Sequence, residues 1–158
     1  MLVPVMLLAL ACAADAGGAR TVLDLGDGDR VVASTGSGEA VVLEVVRSPA
    51  MRARGMMFRD EVPRGTGMLF VLERADRHPF WMYQCRVALD IVWLDEHGTV
   101  VDVSPHTPPC PSLPCPNYAP QQPARLVIEV GAGEAARLGM TPGRRVLLVP
   151  ERSRKGGR

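Results

Sequence analysis

Two cysteines in a proline-rich run are the first residues of this chain that could do chemistry. They lie in Pro109-Cys110-Pro111-Ser112-Leu113-Pro114-Cys115-Pro116, with four residues between the thiols. In an exported chain, such a pair reads as a structural disulfide. The loop it closes is short, so chain entropy contributes only about 2 kcal/mol, and the larger effect is to fix the proline segment. Two other chemistries use the same residues. A redox dithiol usually has two intervening residues and a helix start that lowers the thiol pKa. A zinc site could recruit His106, but zinc wants four ligands and the remaining ones are missing. Cys85 is left over and reads as a small buried side chain. As a nucleophile it would need a neighbouring base, and His78, seven residues upstream, offers little support for one.

Asp90 is the second candidate, a carboxylate inside the apolar run Leu89-Asp90-Ile91-Val92-Trp93-Leu94. Facing inward, it must be paired or hydrogen-bonded, because burying a bare carboxylate costs several kcal/mol. Arg59 and Arg86 are candidate partners. Trp81, Tyr83 and Gln84 stand on a neighbouring segment, and an aromatic beside amide and carboxylate groups suits a carbohydrate or peptide pocket. Six methionines follow residue 16, among them Met56, Met57, Met68 and Met82. Thioethers bind Cu(I), but each of these sits in an apolar run and reads as core. No cofactor or metal is implied.

The elements that must position these residues are short, as fourteen prolines and sixteen glycines in 158 residues require. Val41–Val46 is β-branched and reads as a strand. Ser48-Pro49 has the form of an N-cap followed by proline at the first helical position, which predicts a helix over Ala50–Met57. Gly67–Leu72 and His78–Gln84 read as strands. Ala88–Leu94 and Thr99–Ser104 form a hairpin whose connection ends in Gly98 at positive φ. That hairpin puts Leu89, Ile91 and Trp93 on one face and Asp90, Val92 and Leu94 on the other. Residues 105–124 hold eight prolines and read as loop. Leu126–Val130 is a strand, Gly133–Leu138 a short helix and Arg145–Val149 the last strand. The sum is an α+β, mainly β domain: a barrel-like antiparallel or mixed sheet of about seven strands with two short helices.

Residues 1–16 read as a signal peptide. The apolar stretch Leu2–Ala11 is too short to span a bilayer of about 30 Å, and small residues with Ala-x-Ala spacing follow it. Cleavage near Ala16 gives an exported protein of the periplasm or exterior with no transmembrane span; lipidation at Cys12 is the alternative. Residues 17–38 read as linker or edge strand, 39–150 as a single domain and 151–158 as a basic flexible tail. The net charge of the whole chain is +1, and the positive excess sits in that tail. Without a basic folded face, nucleic acid is not an expected partner.

The blocks Gly55-Met56-Met57-Phe58-Arg59, Gly67-Met68-Leu69-Phe70, Phe80-Trp81-Met82, Leu89-Asp90-Ile91 and Pro109-Cys110 with Cys115-Pro116 occur in fixed order. Together they resemble the exported bacterial and archaeal domain of unknown function 192. The likeness runs over about Val41–Val149 and implies a fold, without an established chemistry. Departures from its pattern are Tyr83-Gln84-Cys85 in place of Lys-Asn-Thr, Ala88 in place of Pro and Gly131 in place of Asn. Three functional readings follow. The first is a non-catalytic binding domain for a small carbohydrate- or peptide-like ligand, its pocket framed by Arg59, Trp81, Tyr83, Gln84 and Asp90 under the disulfide loop. The second is an envelope hydrolase using Asp90 as acid or base, with Glu129 or His106 close by. The third is an accessory that binds an envelope protein through a strand edge.

Overall fold

A computed structural model describes residues 21–151. The signal peptide expected at 1–16, with Cys12 and Ala16, and the basic tail beyond Glu151 lie outside the described residues. In chain order the elements are β1 (Arg30–Ser34), β2 (Ala40–Val46), α1 (Pro49–Arg54), β3 (Thr66–Asp76), β4 (Phe80–Trp81), β5 (Leu89–Leu94), β6 (Val100–Thr107), β7 (Asn117–Tyr118), β8 (Ala124–Gly131), α2 (Glu134–Arg137) and β9 (Leu147–Pro150). Seven strands form one mixed sheet in the order β6-β5-β8-β3-β2-β1-β9, and β4 pairs with β7 in a separate ribbon. Only β2 and β3 run parallel, and α1 lies in the crossover that parallel neighbours require.

Both faces of the central strands are buried, which is why β5 and β8 read as continuous apolar runs. Register separates the faces. Val45, Leu69, Ile128 and Val92 line up across β2, β3, β8 and β5 and face one core, which also takes Val31, Ala33, Leu138 and Val146. One residue along, Val46, Phe70, Val127 and Trp93 face a second core with Met56, Met82, Cys85 and Cys110. The sheet curls around the first core. Near its two edges, Val100 N–H donates to the Arg144 carbonyl at 2.9 Å and Val146 N–H to that of Gly98 at 2.8 Å. Strands β6 and β9 themselves do not pair, so the sheet is barrel-like but open. Gly98 has φ 83°, and a Cβ there would sit 2.6 Å from the Val146 carbonyl oxygen, so a glycine serves both turn and contact.

Several expectations need correction. The strand expected at an edge, β1, lies inside the sheet because β9 pairs with its free side. Helix α1 stops at Arg54, short of Met57. Ser48 caps it by accepting Met51 N–H, and Gly55 ends it with φ 45°, where a Cβ would lie 3.3 Å from the Phe70 ring. Of His78–Gln84 only Phe80–Trp81 is strand. Strand β6 continues through Pro105 to Thr107, which an edge strand tolerates because one side of its backbone needs no partner.

Candidate functional site

The second face of the sheet is roofed by α1 and the turns after it, the β4–β7 ribbon, and residues 82–87. Two openings run beneath this roof and share Arg52, Ala53, Phe70, Phe80 and Trp81 as walls. The wider is a groove of about 400 Å³ that also meets Leu72, Arg74 and His78. The narrower is a crevice of about 30 Å³ reaching Gly55, Met56, Tyr83, Cys85 and Glu129.

Glu129 stands on β8, opposite Met68 of β3 and Ile91 of β5, in the row that begins with Glu44 of β2. It is 4% exposed, and its Oε2 has no hydrogen-bond partner. Burial pushes its pKa up to about 8, against the opposing pull of the Arg59 charge. Arg59 forms an ion pair with Glu44 at 3.0 Å. Beside the crevice, Cys85 is a free buried thiol. Desolvation, reinforced by the Glu129 charge, pushes it up to about 12, so it is neither a thiolate nor a nucleophile at neutral pH. Trp93 Nε1, on the same face, is the other buried side-chain polar atom without a partner among the described residues.

The roof is a hydrogen-bonded lattice. Cys110 and Cys115 form a disulfide with Cα atoms 5.9 Å apart. Cys110 N–H donates to the Met82 carbonyl at 3.2 Å, and Gln84 N–H donates to that of Cys110 at 2.9 Å. The Gln84 side chain donates to the Pro111 carbonyl at 3.0 Å. Trp81 pairs with Asn117 across the β4–β7 ribbon, and its ring centroid lies 5.4 Å from that of Tyr83. Trp81 remains 44% exposed. Phe58, in turn, donates its N–H to the Gln84 carbonyl at 2.9 Å, tying the turn after α1 to the same segment.

This arrangement has relatives. The DUF192 family profile, described as an uncharacterized ACR, matches residues 30–148. The chain belongs to the DUF192 family. Two solved structures share its fold. One, from Sinorhizobium meliloti and provisionally described as a transcription regulator, has 26% identity and a TM-score of 0.68, with 78% of this chain and 96% of that one covered. The other, from Novosphingobium aromaticivorans and described as of unknown function, has 30% identity and a TM-score of 0.65, covering 75% and 83%. No curated protein matches the chain.

In this DUF192 domain Trp81, Tyr83 and Gln84 come together under the disulfide loop, with Arg59 across the row from Glu129. Asp90 does not join them. It points to the opposite face, where Oδ1 accepts His106 N–H at 2.8 Å and Oδ2 accepts Ala135 N–H at 2.9 Å. Opposite Asp90, β6 bulges: Leu89 pairs with Thr107 and Ile91 with Ser104, leaving Pro105 and His106 against one residue. His106 takes φ 51°, and the carboxylate receives the N–H that the bulge turns away from the ladder. Asp90 is therefore a backbone tie between β6 and α2. Its expected partners bind elsewhere, Arg59 to Glu44 and Arg86 to Asp60 at 2.6 Å. Glu129 entered the sequence reading only as a companion for Asp90. The signal for more was one acid in the doubly buried run Leu126-Val127-Ile128-Glu129-Val130.

Proposed function

We propose that this domain is a non-catalytic, exported binding module that takes a small carbohydrate- or peptide-like ligand in the groove between α1, β3 and β4. The observation that carries the reading is Trp81, a large ring left exposed on a braced two-stranded ribbon at the wall of a ligand-sized groove. Pockets for small molecules commonly run from about 300 to 1,000 Å³ with apolar walls and few polar groups. Here Phe70, Leu72, Phe80 and Trp81 supply the walls, while Arg52, Arg74 and His78 outnumber Glu73 at the rim. The ligand would present a ring or apolar face to Trp81 and an acidic group that competes with Glu73 for Arg52 and with Asp76 for Arg74. Export is part of the proposal, supported by residues 1–16 and by a disulfide that an oxidising compartment would maintain.

Tryptophan fluorescence and amide NMR titrations with digalacturonate and with N-acetyl-dialanine test the binding. Saturable changes centred on Trp81 in one series, lost in a folded Trp81→Ala variant, are the expected result. No saturable change with either probe would overturn the carbohydrate- or peptide-binding reading. Fractionation of cells tests the export: the protein is expected outside the cytoplasm, and deleting residues 1–16 should retain it inside.

A further inference from the structure

The small crevice off the groove has an unusual floor. Its other walls include apolar Met56 and Phe70, the buried Cys85 thiol, and Arg52, which pairs with Glu73 at 3.4 Å. Glu129 alone brings a fully buried carboxyl group to it, with Oε2 unsatisfied. Buried polar atoms in folded proteins are nearly all hydrogen-bonded, so an orphan oxygen on a side chain that lines a crevice points to a partner that arrives from solvent. The volume of about 30 Å³ admits one or two water-sized groups. A sugar ring is too large to enter.

We infer that the crevice is a subsite for a single amide or hydroxyl group, which inserts between Tyr83, Cys85 and Gly55 and hydrogen-bonds to Glu129 while the rest of its molecule occupies the groove. This rests on the groove reading for the identity of the larger ligand, but not for the subsite itself. The charged and titratable groups around Glu129 are Glu44 on β2, Arg52 and Arg54 from α1, Arg59 beyond the turn, and Tyr83 and Cys85 from the roof. Desolvation outweighs the Arg59 charge and keeps the acid protonated at neutral pH. A protonated carboxyl both donates and accepts. Its best small partner does the same, which selects amide and hydroxyl over ammonium or carboxylate.

The test uses acetamide, whose polar end fits the crevice and whose methyl group can stay in the mouth. In amide NMR titrations, the wild-type domain should show saturable shifts at Gly55, Met56, Cys85 and Glu129. Glu129→Gln, a neutral isostere that donates and accepts, should keep the affinity within about threefold. Glu129→Leu, checked for native near-UV dichroism, should weaken it by about tenfold or more. Shifts that fail to saturate in the wild type, or that Glu129→Leu leaves unchanged, would overturn the subsite. If acetamide fails while a groove probe still moves Trp81, only the subsite falls. If acetamide saturates while both groove probes fail, the subsite stands and the larger ligand must be sought elsewhere.

Discussion

Asp90 and Glu129 are buried carboxyl groups on adjacent strands, and they have opposite surroundings. Asp90 is 1% exposed and Glu129 is 4% exposed, so burial does not distinguish them. Their partners do. Asp90 meets two backbone N–H groups, one turned out by the β6 bulge and one at the start of α2. Glu129 faces the second core, where neighbouring strands present Met68 and Ile91 and no donor reaches Oε2. One acid is consumed in holding the fold; the other costs stability and keeps an unpartnered oxygen on a side chain that lines a crevice. Groups left in such a state tend to mark functional sites.

The largest expected effect comes from removing the satisfied acid. Asp90→Ala leaves the buried Ala135 N–H and the part-buried His106 N–H without an acceptor and should lower stability by about 2–4 kcal/mol, read as a lower urea midpoint at unchanged slope. Asp90→Asn keeps an acceptor and should lose less. A cost below about 1 kcal/mol for the alanine variant would erase the contrast with Glu129.

Glu129 should behave in the reverse sense. Its folded pKa lies at about 8, above the ordinary 4.5. The unfolded chain therefore releases this proton at a lower pH than the folded one. The favourable difference is complete below about 4.5 and is lost as pH rises toward 8, amounting to a few kcal/mol. Glu129→Leu should remove that slope and raise stability by about 1–4 kcal/mol near pH 8. Chemical denaturation of both proteins across this range measures it, and parallel profiles would show that Glu129 is not buried as described.

Reducing the Cys110–Cys115 disulfide should cost about 2 kcal/mol and act unevenly. Hydrogen exchange is expected to quicken at Gln84 and Cys110 before it does at Ala135, because only the roof over Glu129 depends on that loop. Equal acceleration at both places would mean that the two faces open as one unit. The smallest effect concerns Cys85. Held neutral by burial, it should react with a thiol reagent at pH 8 at least about a hundredfold more slowly in the native protein than in urea.

Much of the architecture was legible from local pattern. The β5–β6 hairpin turns at Gly98 with Leu89, Ile91 and Trp93 on one face, because alternation and a positive-φ residue are properties of a few neighbouring positions. The Ser48 cap and the Cys110–Cys115 bridge were readable for the same reason. The ordered blocks carried the family. What lay out of reach was which buried acid would find a partner. Leu89-Asp90-Ile91 and Ile128-Glu129-Val130 look alike as strings, each an acid between branched apolar residues. Their fates depend on a bulge in β6, on the first turn of α2 and on the face that β8 turns toward the roof. Those contacts join segments far apart in the chain, 45 residues in the case of Asp90 and Ala135. Local periodicity selects strands and faces; only the packed sheet decides where a donor stands within hydrogen-bonding distance.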